Sequence, residues 1–174
     1  MEIKQVCLEN IRSYEKAEVN FPAGKVLLSG DIGTGKSSVL LAVEFALFGL
    51  QKGSLSGASL LRNGTDSGKV KVNFNIDEKE VIIERTLKRS KKGVSQEYGS
   101  ITFDEKKRDV STQELKNHVL RMLNYPQEFM NKRPELYRYT VYTPQEEMKQ
   151  ILTENVETRL NTLRRVFAID KYKR

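Results

Sequence analysis

Gly30-Asp31-Ile32-Gly33-Thr34-Gly35-Lys36-Ser37-Ser38 is the stretch whose reading decides the fold. Gly30, Gly35, Lys36 and Ser37 fit the phosphate-loop pattern of Gly, four residues, then Gly-Lys-Ser/Thr. Its flanks meet the pattern's structural requirement. Val26-Leu27-Leu28 reads as a short buried strand before it, and Val39-Leu40-Leu41-Ala42-Val43 opens a helix after it. The glycines let the backbone bend tightly, so that successive N–H groups point inward at an anion. The helix start adds its free N–H groups and the positive end of its dipole. Lys36 would reach the β- and γ-phosphates, and the Ser37 hydroxyl would ligate Mg²⁺. Asp31, Ile32, Gly33, Thr34, Gly35, Lys36, Ser37 and Ser38 are therefore the candidate contacts of a nucleoside triphosphate. The competing reading is a glycine-rich strand-to-helix turn with no ligand.

Working outward, Val39, Leu40, Val43, Phe45, Ala46, Leu47 and Phe48 surround nearly every side of the following helix, which implies burial between layers. Gly49 is a suitable stop. Upstream, Ile3 to Leu8 and Ala17 to Phe21 read as strands separated by Glu9 to Tyr14, and Pro22-Ala23-Gly24 turns into the loop's strand. Downstream, Gln51 to Ser59 is rich in Gly and Ser and reads as a loop. Val70 to Ile76 and Val81 to Leu87 follow as strands joined at Asp77-Glu78-Lys79, the first with one wet face. Lys88 to Tyr98 is a basic connection, and Ser100 to Phe103 resumes a strand. Ser111 with Glu114 forms a capping-box signature for a helix to about Leu123, ended by Tyr125-Pro126. Tyr137 to Tyr142 is β-prone, a helix starts near Glu146, and another covers about Val156 to Phe167.

The totals bound the class. The chain of 174 residues is one domain's worth, and 38% hydrophobic with 30% charged residues suits a soluble globular protein. No apolar run approaches the ~20 residues of a membrane span, and no signal peptide precedes Met1-Glu2-Ile3-Lys4. The single cysteine, Cys7, reads as a small core residue in an apolar strand, which fits a reducing cytoplasm. One Cys and one His exclude a Cys/His metal cluster. The net charge of +7 favours polyanions, chiefly nucleic acid.

Leu8-Glu9-Asn10-Ile11-Arg12-Ser13-Tyr14, then the Gly-x-x-Gly-x-Gly-Lys-Ser-Ser loop, then Glu44-Phe45-Ala46-Leu47-Phe48-Gly49 and Leu60-Leu61-Arg62-Asn63-Gly64, resemble the N-terminal half of the SMC-like ATPase heads. The Rad-fifty/SbcC double-strand-break repair ATPases are the branch it most resembles. The resemblance implies an α/β fold: the N-terminal lobe of a P-loop NTPase of the ABC-type head, with an additional antiparallel β-sheet and helical segments. It implies ATP and Mg²⁺ as cofactors. Residues 1–155 would be the N-terminal half of the head and 156–174 the helix at the start of a coiled coil. Lys36 and Gln145 would be catalytic, with Ser37 and Gln145 at Mg²⁺ and Gln145 as the Q-loop glutamine. Thr143-Pro144-Gln145-Glu146 departs from the family's usual Arg-Gln-Gly run there. Arg12 and Ser13 would lie against the nucleotide, and Arg62 and Asn63 near its base and ribose.

The same resemblance implies what this stretch lacks. The signature motif, the carboxylate strand and the switch histidine belong to a C-terminal half. Ile101-Thr102-Phe103-Asp104-Glu105 mimics the carboxylate strand but alternates, and reads as an edge strand with a charged turn. Leu55-Ser56-Gly57-Ala58 mimics the signature but precedes the Q-loop; His118 reads as an ordinary helix residue. The implied partners are the C-terminal half of the same ATPase, a second head in a homodimer around two ATPs, an Mre-eleven/SbcD-type nuclease and double-stranded DNA, with no membrane. Lys88, Arg89, Lys91, Lys92, Lys106, Lys107 and Arg108 are the candidate DNA-backbone contacts, with a solvated face as the competing reading. The implied location is cytoplasmic, with the nucleoid, in a prokaryote and nuclear in a eukaryote. The alternatives are an SMC/RecN-type chromosome-structure head, and a stand-alone P-loop kinase or GTPase. Against the last, Asn131-Lys132-Arg133 lacks the Asp of a guanine-reading motif.

Overall fold

The computed structural model describes residues 1–51, 55–124, 153 and 155–166. The chain divides into two units, residues 1–130 and 131–174.

In the first unit, seven strands form one sheet in which every pairing is antiparallel. β1 (Glu2–Ile11) lies between β2 (Tyr14–Asn20) and β3 (Ser67–Ile76). β3 pairs with β4 (Lys79–Ser90). The far edge of β4 is shared by β5 (Gly93–Gln96) and β6 (Gly99–Phe103), and β7 (Lys106–Val110) closes the order β2-β1-β3-β4-β6-β7.

Tight turns explain this meander. Asp77 and Glu78 (φ 48° and 63°) join β3 to β4, and Asp104 and Glu105 (φ 48° and 61°) join β6 to β7. Positive φ at both central residues is what a two-residue type I′ hairpin requires. Asp104-Glu105 is thus a turn, as its charged context predicts. The strand before it is not an edge, however, because β7 covers it. The basic connection also differs from expectation: β4 runs on to Ser90 and turns at Lys91-Lys92 into β5. Likewise β1 and β2 extend through the expected connection, leaving only Arg12-Ser13 as the turn.

Strand alternation gives the sheet one apolar face. Val6, Leu8 and Ile11 of β1, Val70, Val72 and Phe74 of β3, and Val81, Ile83 and Leu87 of β4 are buried there. α1 (Lys36–Phe48) packs against β1, β3 and β4. Its Val39, Ala42, Val43, Phe45, Ala46, Leu47 and Phe48 are buried, but Leu40, which the all-round pattern also places inside, is 40% exposed. Gly49 ends it at φ 76°, donating its N–H to the Phe45 carbonyl at 2.8 Å. A β-carbon at Gly49 would stand 2.7 Å from Gln96 Oε1, so a side chain at this stop would displace Gln96 and would sit at a strained positive φ.

Arg85 occupies an inward position of β4 and is fully buried. Its guanidinium donates to the Ala46 and Leu47 carbonyls at 2.7 and 3.2 Å, satisfying the C-terminal end of α1. Burial lowers its pKa to about 9, so it remains cationic at neutral pH, facing the negative end of the helix dipole.

Cys7 departs from expectation. The register of β1 puts it on the sheet's other face, half-buried between Glu18 of β2 and Lys71 of β3. Desolvation, with Glu18 beside it, pushes its thiol pKa up. The Gly/Ser stretch also contains structure. Ser56 caps a single helical turn, α2 (Gly57–Leu60), by accepting from the Ser59 N–H at 3.1 Å.

α3 (Thr112–Met122) carries the capping box that its sequence signals. The Ser111 hydroxyl accepts from the Glu114 N–H at 3.3 Å, and the Glu114 carboxylate accepts from the Ser111 N–H at 2.9 Å. In the second unit, α4 (Val156–Val166) forms where the apolar stripe predicts a helix, with Val156 and Leu160 exposed. Gln145, the β-prone run 137–142 and the helix expected near residue 146 lie outside the described residues.

One expectation fails outright. Val26-Leu27-Leu28 joins no strand ladder, and Val26 and Leu27 are 43% and 87% exposed. The last ladder bond upstream is Phe21 N–H to the Lys4 carbonyl at 2.8 Å; Gly24 (φ 98°) then lies in the expected turn. An apolar run becomes a strand only beside another strand, and the described residues supply none here.

Candidate nucleotide site

The phosphate loop forms where its pattern predicts. Gly30, Gly33 and Gly35 take φ values of 143°, 86° and 98°, a region that L side chains rarely adopt. Thr34 closes a turn within the loop, its N–H and hydroxyl both donating to the Asp31 carbonyl at 3.4 and 2.9 Å. Gly35 is the N-cap of α1 and offers no side-chain cap, and the first turn carries no acid. The positive end of the helix dipole is therefore uncompensated where an anion would sit.

Lys36 curls back over the loop. Its Nζ donates to the Gly30 and Asp31 carbonyls at 2.7 and 2.6 Å and lies 3.3 Å from Thr34 Oγ1. The ammonium is thus held by loop oxygens, and among the described residues no carboxylate pairs with it.

The β1–β2 turn brings Arg12 and Ser13 to this loop. A cleft of about 400 Å³ is lined by Arg12, Ser13, Gly33, Gly35, Lys36, Ser37 and Ser38. These residues come from two separated stretches of the sequence, and the fold places them together. Asp31, Ile32 and Thr34 belong to the loop without lining the cleft; Ile32 is fully exposed at its tip.

The donor set fits a polyphosphate. It combines a lysine, an arginine, serine hydroxyls and an open glycine bend, where a β-carbon at Gly33 would meet nothing within 4 Å. Among the described residues, no group of three or more His, Cys, Asp or Glu could hold a metal without such a ligand.

Arg62 and Asn63 do not line the cleft. The Arg62 guanidinium donates to the Ser13 carbonyl at 2.8 Å and pairs with Glu15 at 2.9 Å, bracing the β1–β2 turn from behind. Asn63 sits in an exposed turn. Arg89 in turn donates to the Thr65 and Arg62 carbonyls at 2.9 and 3.3 Å, fixing residues 62–65.

Two residues escaped the sequence reading. Tyr14 lies against the loop, its hydroxyl donating to the Thr34 carbonyl at 3.3 Å; its position directly after Arg12-Ser13 was the available signal. Arg85 was legible from alternation with Val81, Ile83 and Leu87.

The other candidate cations are dispersed. Lys88 pairs with Glu97 at 3.3 Å and Lys107 with Glu84 at 3.6 Å. Lys106 and Arg108 turn to the opposite side of β7 from Lys107, towards His118 and Met122 of α3. Lys91 and Lys92 stand exposed at the β4–β5 turn. Among the described residues no helix is long and apolar enough to cross a membrane.

The AAA domain family matches residues 5–174. The DNA double-strand break repair Rad50 ATPase of Thermoplasma acidophilum is 26% identical over 171 residues, covering 98% of this chain and 18% of that protein. The Rad50 ATPase of Methanosarcina acetivorans is 37% identical over 95 residues, 53% of this chain and 9% of that protein. The chain therefore spans less than a fifth of these relatives. The structure of the recombination mediator protein RecF with ATP is similar at a TM-score of 0.50 and 23% identity, over 66% of this chain and 29% of that one. At that identity the likeness concerns the fold, which is that of P-loop NTPases. With the phosphate loop in place and the family match running almost end to end, the chain belongs to the AAA domain family, and Rad50 ATPases are among the proteins it is similar to.

Proposed function

We propose that this chain is the ATP-binding N-terminal half of a DNA double-strand-break repair ATPase, completed by a C-terminal half that supplies the remaining catalytic groups. The cleft that gathers Arg12 and Ser13 with Gly33, Gly35, Ser37 and Ser38 around Lys36 carries this reading. In it, Lys36 exchanges its loop carbonyls for phosphate oxygens, and Arg12 adds a second cation. Ser37 would hold Mg²⁺ together with Gln145, which lies outside the described residues. Bound Mg²⁺ would offset the phosphate charge during hydrolysis.

The Val26-Leu27-Leu28 segment, with Val26 and Leu27 exposed, supports incompleteness, since it leads an apolar, unpaired backbone into the loop. A completed head dimerises around two ATPs and clamps double-stranded DNA, with an Mre-eleven/SbcD-type nuclease as partner. Residues 1–155 serve as the head half and 156–174 as the start of the coiled coil. On this reading Lys91 and Lys92 are the backbone contacts best placed for DNA, because Lys88, Arg89 and Lys107 already have partners.

The test is Mg²⁺-dependent ATP turnover by the chain alone, and then with a separately expressed C-terminal half. Turnover only in the mixture, lost in Lys36→Ala, is the expected result. Robust turnover by the chain alone would overturn the half-head reading.

A further inference from the structure

We infer that Tyr14 is a positioning residue of the phosphate loop, and that Arg62 acts on the nucleotide site through it rather than by touching nucleotide. The inference rests on the nucleotide-binding reading above and names which residues set the loop's geometry.

The first observation is steric. A β-carbon built on Gly35 would lie 2.6 Å from the Tyr14 hydroxyl oxygen and 2.8 Å from Cε2 and Cζ of its ring. The ring is thus in direct contact with the glycine backbone, at the residue where loop becomes helix. The hydroxyl bond to the Thr34 carbonyl, at 3.3 Å, is long for an O–H donor. Ring contact, more than that bond, fixes the spacing.

The second observation concerns what else holds the loop. Among the described residues, the other hydrogen bonds onto the carbonyls and hydroxyls of residues 30–35 come from the loop itself or from α1. Three of them are made by Lys36, the group that must turn away when phosphate arrives. Tyr14 is the support from another element, and it persists when Lys36 leaves.

The third observation is that Tyr14 is itself anchored on both sides. Arg62 donates to the carbonyl of Ser13 and pairs with the carboxylate of Glu15, its two chain neighbours. Backbone bonds from Arg12 N–H to Leu60 O (2.9 Å) and Arg62 N–H to Asn10 O (3.0 Å) tie the same segments together. The linkage runs from Arg62 to the β1–β2 turn, to the Tyr14 ring, to Gly35. Holding a binding loop in its bound shape before the ligand arrives raises affinity without any new ligand contact.

The experiment is titration of the chain with a fluorescent N-methylanthraniloyl-ATP, with a thermal midpoint recorded for every variant. Wild type should bind and Lys36→Ala should not. Tyr14→Ala should weaken binding about tenfold with little change in midpoint, and Tyr14→Phe, which keeps the ring, should recover most of that loss. Arg62→Ala should weaken binding about three- to tenfold, and the Tyr14→Ala/Arg62→Ala double variant should be no weaker than Tyr14→Ala alone. Multiplying effects would show that Arg62 touches nucleotide independently and overturn the linkage. Wild-type affinity in Tyr14→Ala would overturn the role of the ring. Absence of binding by wild type would instead overturn the nucleotide reading, and the inference with it. If Tyr14→Ala does not fold, Tyr14→Leu removes the planar ring at closer volume and takes its place in the cycle.

Discussion

Leu27→Ala separates a buried side chain from one waiting to be buried. Leu27 is 87% exposed in a segment whose apolar sequence demands a sheet, and Val26 is 43% exposed. Truncating a side chain that touches mostly water should change the chain's own stability by less than about 0.5 kcal/mol. Full burial of a leucine is worth about 1.5–3 kcal/mol, and nearly all of that area is still available to a partner. If a C-terminal half covers the segment, Leu27→Ala should weaken its binding roughly 10- to 100-fold. Val26→Ala, with about half its surface already covered, should weaken it less. Urea unfolding of the isolated chain gives the first quantity, and calorimetric titration with the separately expressed C-terminal half gives the second. A stability loss above about 1 kcal/mol in the isolated chain would refute the exposed placement. Unchanged affinity for the C-terminal half would refute the claim that this segment is the seam.

Arg85→Ala removes two hydrogen bonds to the last carbonyls of α1 and leaves a void under β4, so a loss of about 3–5 kcal/mol in urea unfolding is expected; a cost near zero would contradict its role. Ser111→Ala removes the N-cap of α3 and should cost about 1 kcal/mol, lowering the thermal midpoint by about 2–4 °C. The Ser111 hydroxyl and then its N–H hold the Glu114 pKa below the ordinary value. That contribution is present above the unfolded-state pKa and is lost as pH falls through the folded one, so Ser111→Ala should lose less stability than wild type on acidification from about pH 5 to 3. Lys91→Ala/Lys92→Ala should flatten the slope of log DNA affinity against log salt by about 0.9 for each phosphate contact removed, whereas an unchanged slope would move the DNA surface elsewhere.

Much of the fold was legible because it is specified within a few residues. The capping box at Ser111 and Glu114, the stop at Gly49 and the alternation of Val70, Val72 and Phe74 each have their physical cause nearby in sequence. The hairpin lengths were less legible. Asp77-Glu78 and Asp104-Glu105 adopt two positive φ values without a glycine, so the usual signal for a two-residue turn was missing. Cys7 shows the sensitivity of register: in Val6-Cys7-Leu8 a single position decides which face a residue joins. Val26-Leu27-Leu28 failed for a different reason, since its apolar character specifies burial but not which polypeptide supplies it.

The site divides along the same line. The loop's glycines and Lys36 lie within nine residues of one another and are legible as a motif, and Arg12 and Ser13 line the same cleft. The remaining cations were not readable, because charge alone does not say what a guanidinium faces. Arg62 finds its partners 47 and 49 residues earlier, and Arg89 finds its own 24 and 27 residues earlier. Both are spent on carbonyls and a carboxylate that position other residues. Lys106-Lys107-Arg108 reads as one basic cluster, yet strand alternation splits it between two faces of β7. A run of positive residues is therefore a surface only where the backbone keeps it on one side. Arg62 and Arg89 thus serve as braces, which on the proposed reading leaves phosphate recognition to the loop, Lys36 and Arg12.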